Sequence, residues 1–132
     1  MRKTVSLLML SFLLLFICAC GEGAEAVDGL ILATVRVPFS EGETAFDVTK
    51  RACDAYGIQL EYSWTPLYDS YYVEGINHLY EFDCGAESGW MYKVNGWFPN
   101  YGASSYALQE GDAVTWEYTC VGLGADIGGY TG

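Results

Sequence analysis

The sequence predicts a small α+β domain, one early helix followed by several short strands. Three observations lead there. Helical spacing with helix-end signals occurs once after the N-terminal apolar run, over residues 44–57. Most of the chain beyond residue 57 alternates apolar and polar residues with period two. Asn-Gly, Gly-Asp and Pro cut that alternation into short pieces. A chain of 132 residues holds one modest core, and a helix packed on a small, mostly antiparallel sheet suits this element order.

At the N-terminus, Arg2 and Lys3 precede an apolar run from Leu7 to Ile17 that only Ser11 interrupts. The run is too short to cross a bilayer and has the layout of a secretory signal. It ends Ile17-Cys18-Ala19-Cys20-Gly21, which resembles a bacterial lipobox. The resemblance implies a signal peptide over residues 1–19 and lipidation of the Cys20 sulfur. The protein is then expected on the bacterial cell surface, lipid-anchored to the outer face of the membrane and not threaded through it. A soluble secreted protein cut near Ala24 is the competing reading. Residues 20–29, the lipidated Cys and then GEGAEAVDG, read as a flexible acidic spacer.

Residues 30–121 form the expected domain. Leu30 to Val37 is β-branched and partly alternating, a first strand that Pro38 and Gly42 punctuate. Thr44 and Asp47 have capping-box spacing, so a helix starts after Thr44 and runs to about Tyr56, with Gly57 as its stop. Ala45, Val48, Ala52 and Ala55 make one stripe of that helix, and Cys53 shares another with Phe46 and Tyr56. Ile58 to Trp64 alternates cleanly as a second strand before Pro66. Residues 67–79 read as a loop into a short strand, Leu79 to Cys84 as a short extended piece, and Gly85 to Ser88 as a turn. Trp90 to Val94, Asn95-Gly96 and Trp97-Phe98 read as a type I′ hairpin, because both loop positions need positive φ. Gln109 to Asp112 is a further turn and Ala113 to Thr119 the last strand. The Gly-rich tail, residues 122–132, is expected to lack a regular element.

The chain carries 17 acidic residues against six basic ones. Loss of Arg2 and Lys3 with the leader leaves Arg36, Lys50, Arg51 and Lys93 as the basic set. Nucleic acid is therefore excluded as an expected partner, since phosphate contact needs a Lys/Arg surface. Direct docking on anionic lipid is disfavoured for the same reason. Beyond Cys20 stand Cys53, Cys84 and Cys120, an odd number that leaves one thiol over. Cys84 and Cys120 each end a period-two apolar run, Tyr80-Phe82 and Val114-Trp116-Tyr118, which favours a Cys84–Cys120 disulfide worth about 4 kcal/mol. A bridge from Cys53 to either partner is the alternative. No Cys pair has C-x-x-C spacing and His78 is the single His, so no metal site is expected. A nucleophile would lack its base, and no glycine loop for phosphate precedes a helix, so the chain does not read as an enzyme.

Several segments together resemble one family. These are Thr44-Ala-Phe-Asp-Val48, Tyr72-Val-Glu-Gly-Ile-Asn77, Ser88-Gly-Trp-Met-Tyr-Lys-Val-Asn-Gly96, Tyr106-Ala-Leu-Gln-Glu-Gly-Asp112 and Val114-Thr-Trp-Glu-Tyr-Thr-Cys120. They are similar to the transcobalamin-like C-terminal domain family, which also occurs in bacterial surface proteins of unassigned function. The resemblance implies a β-grasp-like fold. It implies a non-catalytic ligand-binding domain, with cobalamin or a related corrinoid as the ligand and no cofactor. The larger helical half of the animal carriers has no counterpart here, so a second surface protein completing the site is an expected partner.

Hairpin geometry puts Trp90, Tyr92, Val94 and Trp97 on one face and Met91, Lys93 and Phe98 on the other. The first set reads as core because Lys93 prefers water. The candidate ligand surface then comes from two segments that contact ligand in the cobalamin carriers. One is the tyrosine segment, with Tyr68, Tyr71 and Tyr72. The other is the post-hairpin loop, with Phe98, Asn100 and Tyr101 and the edge of Trp97. A rigid ring with a polar tip suits recognition. The alternative function is a protein–protein or cell-wall glycan interaction module presenting the same aromatic edge.

Overall fold

The computed structural model describes residues 31–129. The expected signal peptide, Cys20 and spacer lie outside the described residues. A division of the chain falls after Pro38. Among the described residues, 31–38 form no strand, so the first strand expected over 30–37 is not seen there. β-branched composition favours an extended chain, but a strand also needs a ladder to join.

From Phe39 onward the chain is an α+β domain. Helix α1, Ala45–Tyr56, opens on the expected capping box. The Thr44 hydroxyl accepts from the Asp47 N–H at 3.2 Å, and the Asp47 carboxylate accepts from the Thr44 N–H at 3.0 Å. Gly57 closes the helix in the left-handed conformation, φ 67°. The buried residues are Ala45, Phe46, Thr49 and Cys53, whereas Ala55 of the expected alanine stripe is exposed. Phe46 and Cys53 simply offer more apolar surface to remove from water than alanines do.

The expected sheet is divided in two. β1, Leu60–Thr65, β2, Ser70–Ile76, and β3, Leu79–Tyr80, make one antiparallel sheet in that order. β4, Gly89–Val94, and β5, Val114–Thr119, make the other, also antiparallel. α1 reaches both. Phe46 stacks on Tyr71 of β2 with centroids 5.0 Å apart and meets Tyr62 of β1 edge-on at 4.9 Å. Three residues on, the Thr49 hydroxyl accepts from Trp116 Nε1 of β5 at 2.7 Å and donates to the Ala45 carbonyl at 2.8 Å. A buried hydroxyl thus has both a donor and an acceptor partner, as burial demands.

Between β3 and β4 the chain departs from expectation. The extended piece expected over Leu79 to Cys84 stops at Tyr80, because the Asp83 carboxylate accepts from the Tyr80 N–H at 2.8 Å. Phe82 then turns to φ 71° and is 62% exposed. An acidic side chain bonded back to the backbone competes with strand continuation in this way. The Cys84–Cys120 disulfide nonetheless forms, with Cα atoms 5.4 Å apart. Pairing of Gly89 with Thr119 brings the end of β5 beside this turn. Cys53 is the free, buried cysteine, and burial pushes its thiol pKa up to about 11.

The glycine-rich tail is not irregular throughout. Gly122–Ile127 is a kinked 3₁₀ segment whose Asp126 carboxylate accepts from the Thr119 hydroxyl and, at 2.9 Å, from the Cys120 N–H. Met91 of β4 lies against Gly124, where a Cβ would collide with its sulfur. Glycine there is what lets the tail close over the outer side of β4.

Candidate functional site

The site begins at the Asn95-Gly96 turn. Both residues have positive φ, 54° and 81°, as a type I′ loop requires. Val94 and Trp97 exchange backbone hydrogen bonds at 2.8 and 3.1 Å. The hairpin ends after that one pair, since Pro99 has no N–H to extend a ladder. Asn95 instead ties the turn to the start of β5, accepting from the Ala113 N–H at 2.9 Å and donating to Asp112 at 3.0 Å. The chain freed beyond Phe98 folds back toward β2. There Ser104 of the 3₁₀ turn Ala103–Ser105 accepts from the Tyr71 N–H at 2.8 Å, and its hydroxyl meets that of buried Ser70 at 2.8 Å. Gly102 fits beside Ser70 because a Cβ there would run into the Ser70 side chain.

A groove of about 190 Å³ opens between β2, β4 and this returning loop. Three successive residues of β2, Tyr71, Tyr72 and Val73, and three of β4, Trp90, Met91 and Tyr92, line it, with Phe98, Pro99 and Tyr101 from the loop. Successive strand residues point to opposite faces, so the groove is seen by both strands edge-on. Its floor is fixed by a cross-strand ladder, Trp90 opposite Tyr118 and Tyr92 opposite Trp116, with centroids 5.2 and 5.4 Å apart. The Tyr92 hydroxyl donates to the Tyr101 carbonyl at 2.6 Å, pinning the loop to the floor. Trp90 Nε1 donates to the Leu79 carbonyl at 2.8 Å.

The residues expected at the site fare differently. Tyr71, Tyr72, Phe98 and Tyr101 line the groove, while Tyr68, Trp97 and Asn100 lie outside its lining. Tyr71 and Tyr72 face opposite sides of β2. The first belongs to the ring cluster with Phe46, Tyr62 and Trp64. The second donates from its hydroxyl to Glu81 at 2.9 Å. Lys93 and Phe98 share a face as expected, but the burial is reversed: Trp97, expected in the core, is 55% exposed, and Phe98 is 9% exposed. Lys93 explains this. Its ammonium lies 5.4 Å from the Phe98 ring centroid and pairs with Glu117 at 2.6 Å. The head group thus stays satisfied on a face where Phe98 is buried.

Sequence reasoning missed Trp90 and Tyr92 as groove walls and Tyr106 as a ring between Trp97 and Tyr101, 6.4 and 6.3 Å from each. A Gly between Tyr101 and Ala103 was the available signal, since glycine marks a close backbone approach.

The lining carries no charged side chain. Removal of the Tyr72 hydroxyl from water, with Glu81 beside it, pushes its pKa up, so Tyr72 keeps its proton and acts as a donor. His78 is exposed at the β2–β3 turn, where its N–H donates to the Gln59 side chain at 2.7 Å. Among the described residues no group of three or more His, Cys, Asp or Glu could hold a metal ion, and no helix is long and apolar enough to cross a membrane.

Fold and groove together define a small α+β domain with an aromatic, uncharged recess at the junction of its two sheets. The chain belongs to the family described as a domain of unknown function, DUF4430, whose model matches residues 42–120. That span contains α1, all five strands and every groove residue. No curated protein and no solved structure gave a match.

Proposed function

We propose that the protein is a bacterial cell-surface lipoprotein whose domain is a non-catalytic ligand-binding module, holding cobalamin or a related corrinoid. The observation that carries ligand binding is the groove, an uncharged recess walled by rings from two strands and a pinned loop. Pockets of this kind, mostly apolar with a few polar atoms, are the usual seats of small molecules. At about 190 Å³ the recess takes an edge or side arm of a ligand. The exposed rings of Tyr101 and Trp97, 63% and 55% accessible, then offer a surface for its flat body. The corrinoid choice rests on the resemblance of Ser88–Gly96 and the associated segments to transcobalamin-like domains. Surface anchoring rests on the lipobox-like Ile17–Gly21, and a second surface protein covering the ligand's far side fits the same picture.

A fluorescence titration of the purified protein with cobalamin and with cobinamide tests this reading. Saturable quenching is expected, with affinity reduced roughly tenfold, about 1.4 kcal/mol, in Tyr101→Ala. Absence of saturable quenching up to high micromolar ligand rejects corrinoid binding by this chain alone.

A second reading, a protein or cell-wall glycan interaction module, is favoured by one separate feature. Trp64, Leu67 and Tyr68 are 48%, 79% and 67% exposed at the β1–β2 end, outside the groove lining. Recovery of an envelope protein or glycan that is lost in Tyr68→Ala and retained in Tyr101→Ala is the outcome that supports it.

A further inference from the structure

We infer that the outer edge of β5 binds an extended, basic segment of a partner protein as an added β-strand. Backbone direction in β5 follows from β4. Val94 directs its N–H and C=O to Trp97, so it is not hydrogen-bonded to Val114, its opposite residue in β5. The Asn95 N–H bonds to the Ala113 carbonyl at 2.8 Å, which fixes the same alternation. The register runs from Val94↔Val114 to Gly89↔Thr119 without a shift. Antiparallel pairs alternate between bonded and non-bonded. Val114, Trp116 and Tyr118 therefore direct their N–H and C=O groups away from β4, and no other strand of the described residues pairs with β5.

Such an edge is a ready template for another strand, and proteins normally guard it with proline, lysine, a bulge or a short length. The outer edge of the other sheet shows guards: β1 has a register irregularity at Glu61/Tyr62 and Pro66 immediately after it. β5 has none over its six residues, and its one charge, Glu117, is neutralised by Lys93.

Charge selects the occupant. Beyond Lys93 the chain contains no Lys, Arg or His, while Glu110 and Asp112 precede β5 and Asp126 follows it. The Thr119 hydroxyl and the Cys120 N–H hold the Asp126 carboxyl below its ordinary pKa, keeping it ionised. A strand with lysines near its ends is attracted to both ends of this edge. A second copy, carrying the same net charge of −11, is repelled. Main-chain bonds then give affinity and the flanking charges give selectivity, as in other strand-addition complexes. This surface is separate from the ligand groove, and its test stands or falls independently.

Residue-resolved hydrogen exchange on the full chain, with and without a capped hexapeptide alternating lysine with valine and threonine, is the experiment. In the free protein the Val114, Trp116 and Tyr118 amides exchange roughly tenfold or more faster than those of Thr115 and Glu117. Saturating peptide slows the first three by a similar factor, and the same peptide with glutamate for lysine does not. Val114→Pro removes an outward donor without breaking the β4 ladder, so protection of Thr115 and Glu117 persists while the peptide effect falls. Protection of the three amides in the free protein overturns the inference, since the edge is then already covered. So does a basic peptide that leaves them unprotected.

Discussion

In the β4–β5 sheet the aromatic side chains have their polar tips tied down. Trp90 donates to Leu79, Tyr92 to Tyr101, Trp116 to Thr49, and Tyr118 to the Tyr80 carbonyl at 2.6 Å. Around β1, β2 and the loop beyond Gly96 the rings are held differently. Trp64, Tyr68, Trp97 and Tyr101 are each 48% exposed or more, and none directs its indole N–H or hydroxyl to a partner among the described residues. Ring content alone does not separate the fixed frame from the rings left free to move; the fate of the polar tip does. The groove combines fixed walls, Trp90 and Tyr92, with the free ring of Tyr101. A buried ring with a satisfied tip is a structural member, and an exposed one with an idle tip remains available to a ligand.

Five perturbations break or sharpen that contrast, in descending order of effect. Reducing the Cys84–Cys120 disulfide, which closes a loop of 36 residues in separation, should cost about 4 kcal/mol by loop entropy. Denaturant unfolding with and without reductant measures it. Tyr92→Ala removes a ring 8% exposed and should cost about 3 kcal/mol in the same assay. Thr49→Val keeps the shape of the site but leaves Trp116 Nε1 without its acceptor, a loss of about 1–2 kcal/mol. Trp97→Ala and Tyr101→Ala should each change stability by less than about 0.5 kcal/mol. Equal losses in Tyr92→Ala and Tyr101→Ala would erase the distinction between the two regions.

Cys53 adds a test that depends on pH. Its thiol pKa is raised by burial to about 11 from an ordinary 9.0. Below pH 9 the thiol is protonated in folded and unfolded chains alike. As pH rises toward 11 the unfolded thiol ionises first, so stability falls across that window. The decline should be steeper than in Cys53→Ala, and the native thiol should resist alkylation at pH 8.

What the sequence made legible was local chemistry. The Thr44–Asp47 capping box, the Gly57 stop and the Asn95-Gly96 turn each depend on a few adjacent residues, and each stands where expected. The Cys84–Cys120 pairing was legible through the end of β5, although the alternation read around Phe82 fails at the Asp83 turn. What stayed hidden depends on contacts between distant residues. Burial of Phe98 accompanies the pairing of Lys93 with Glu117, 24 positions along the chain. The early end of the hairpin was written in Pro99, yet the return of the loop to β2 required Ser104 to find Ser70. The tail's 3₁₀ segment depends on Asp126 reaching back to Thr119 and Cys120. Trp97 and Phe98 exchanged roles for these reasons, and the candidate site moved from a loop to a groove between strands.

The most direct test of the central claim is a backbone and side-chain NMR titration of the protein with cobinamide. Shifts concentrated at Tyr72, Trp90, Phe98 and Tyr101, with Trp64 and Tyr68 unmoved, are the predicted result. Shifts centred on Trp64 and Tyr68, or none at saturating ligand, would contradict it.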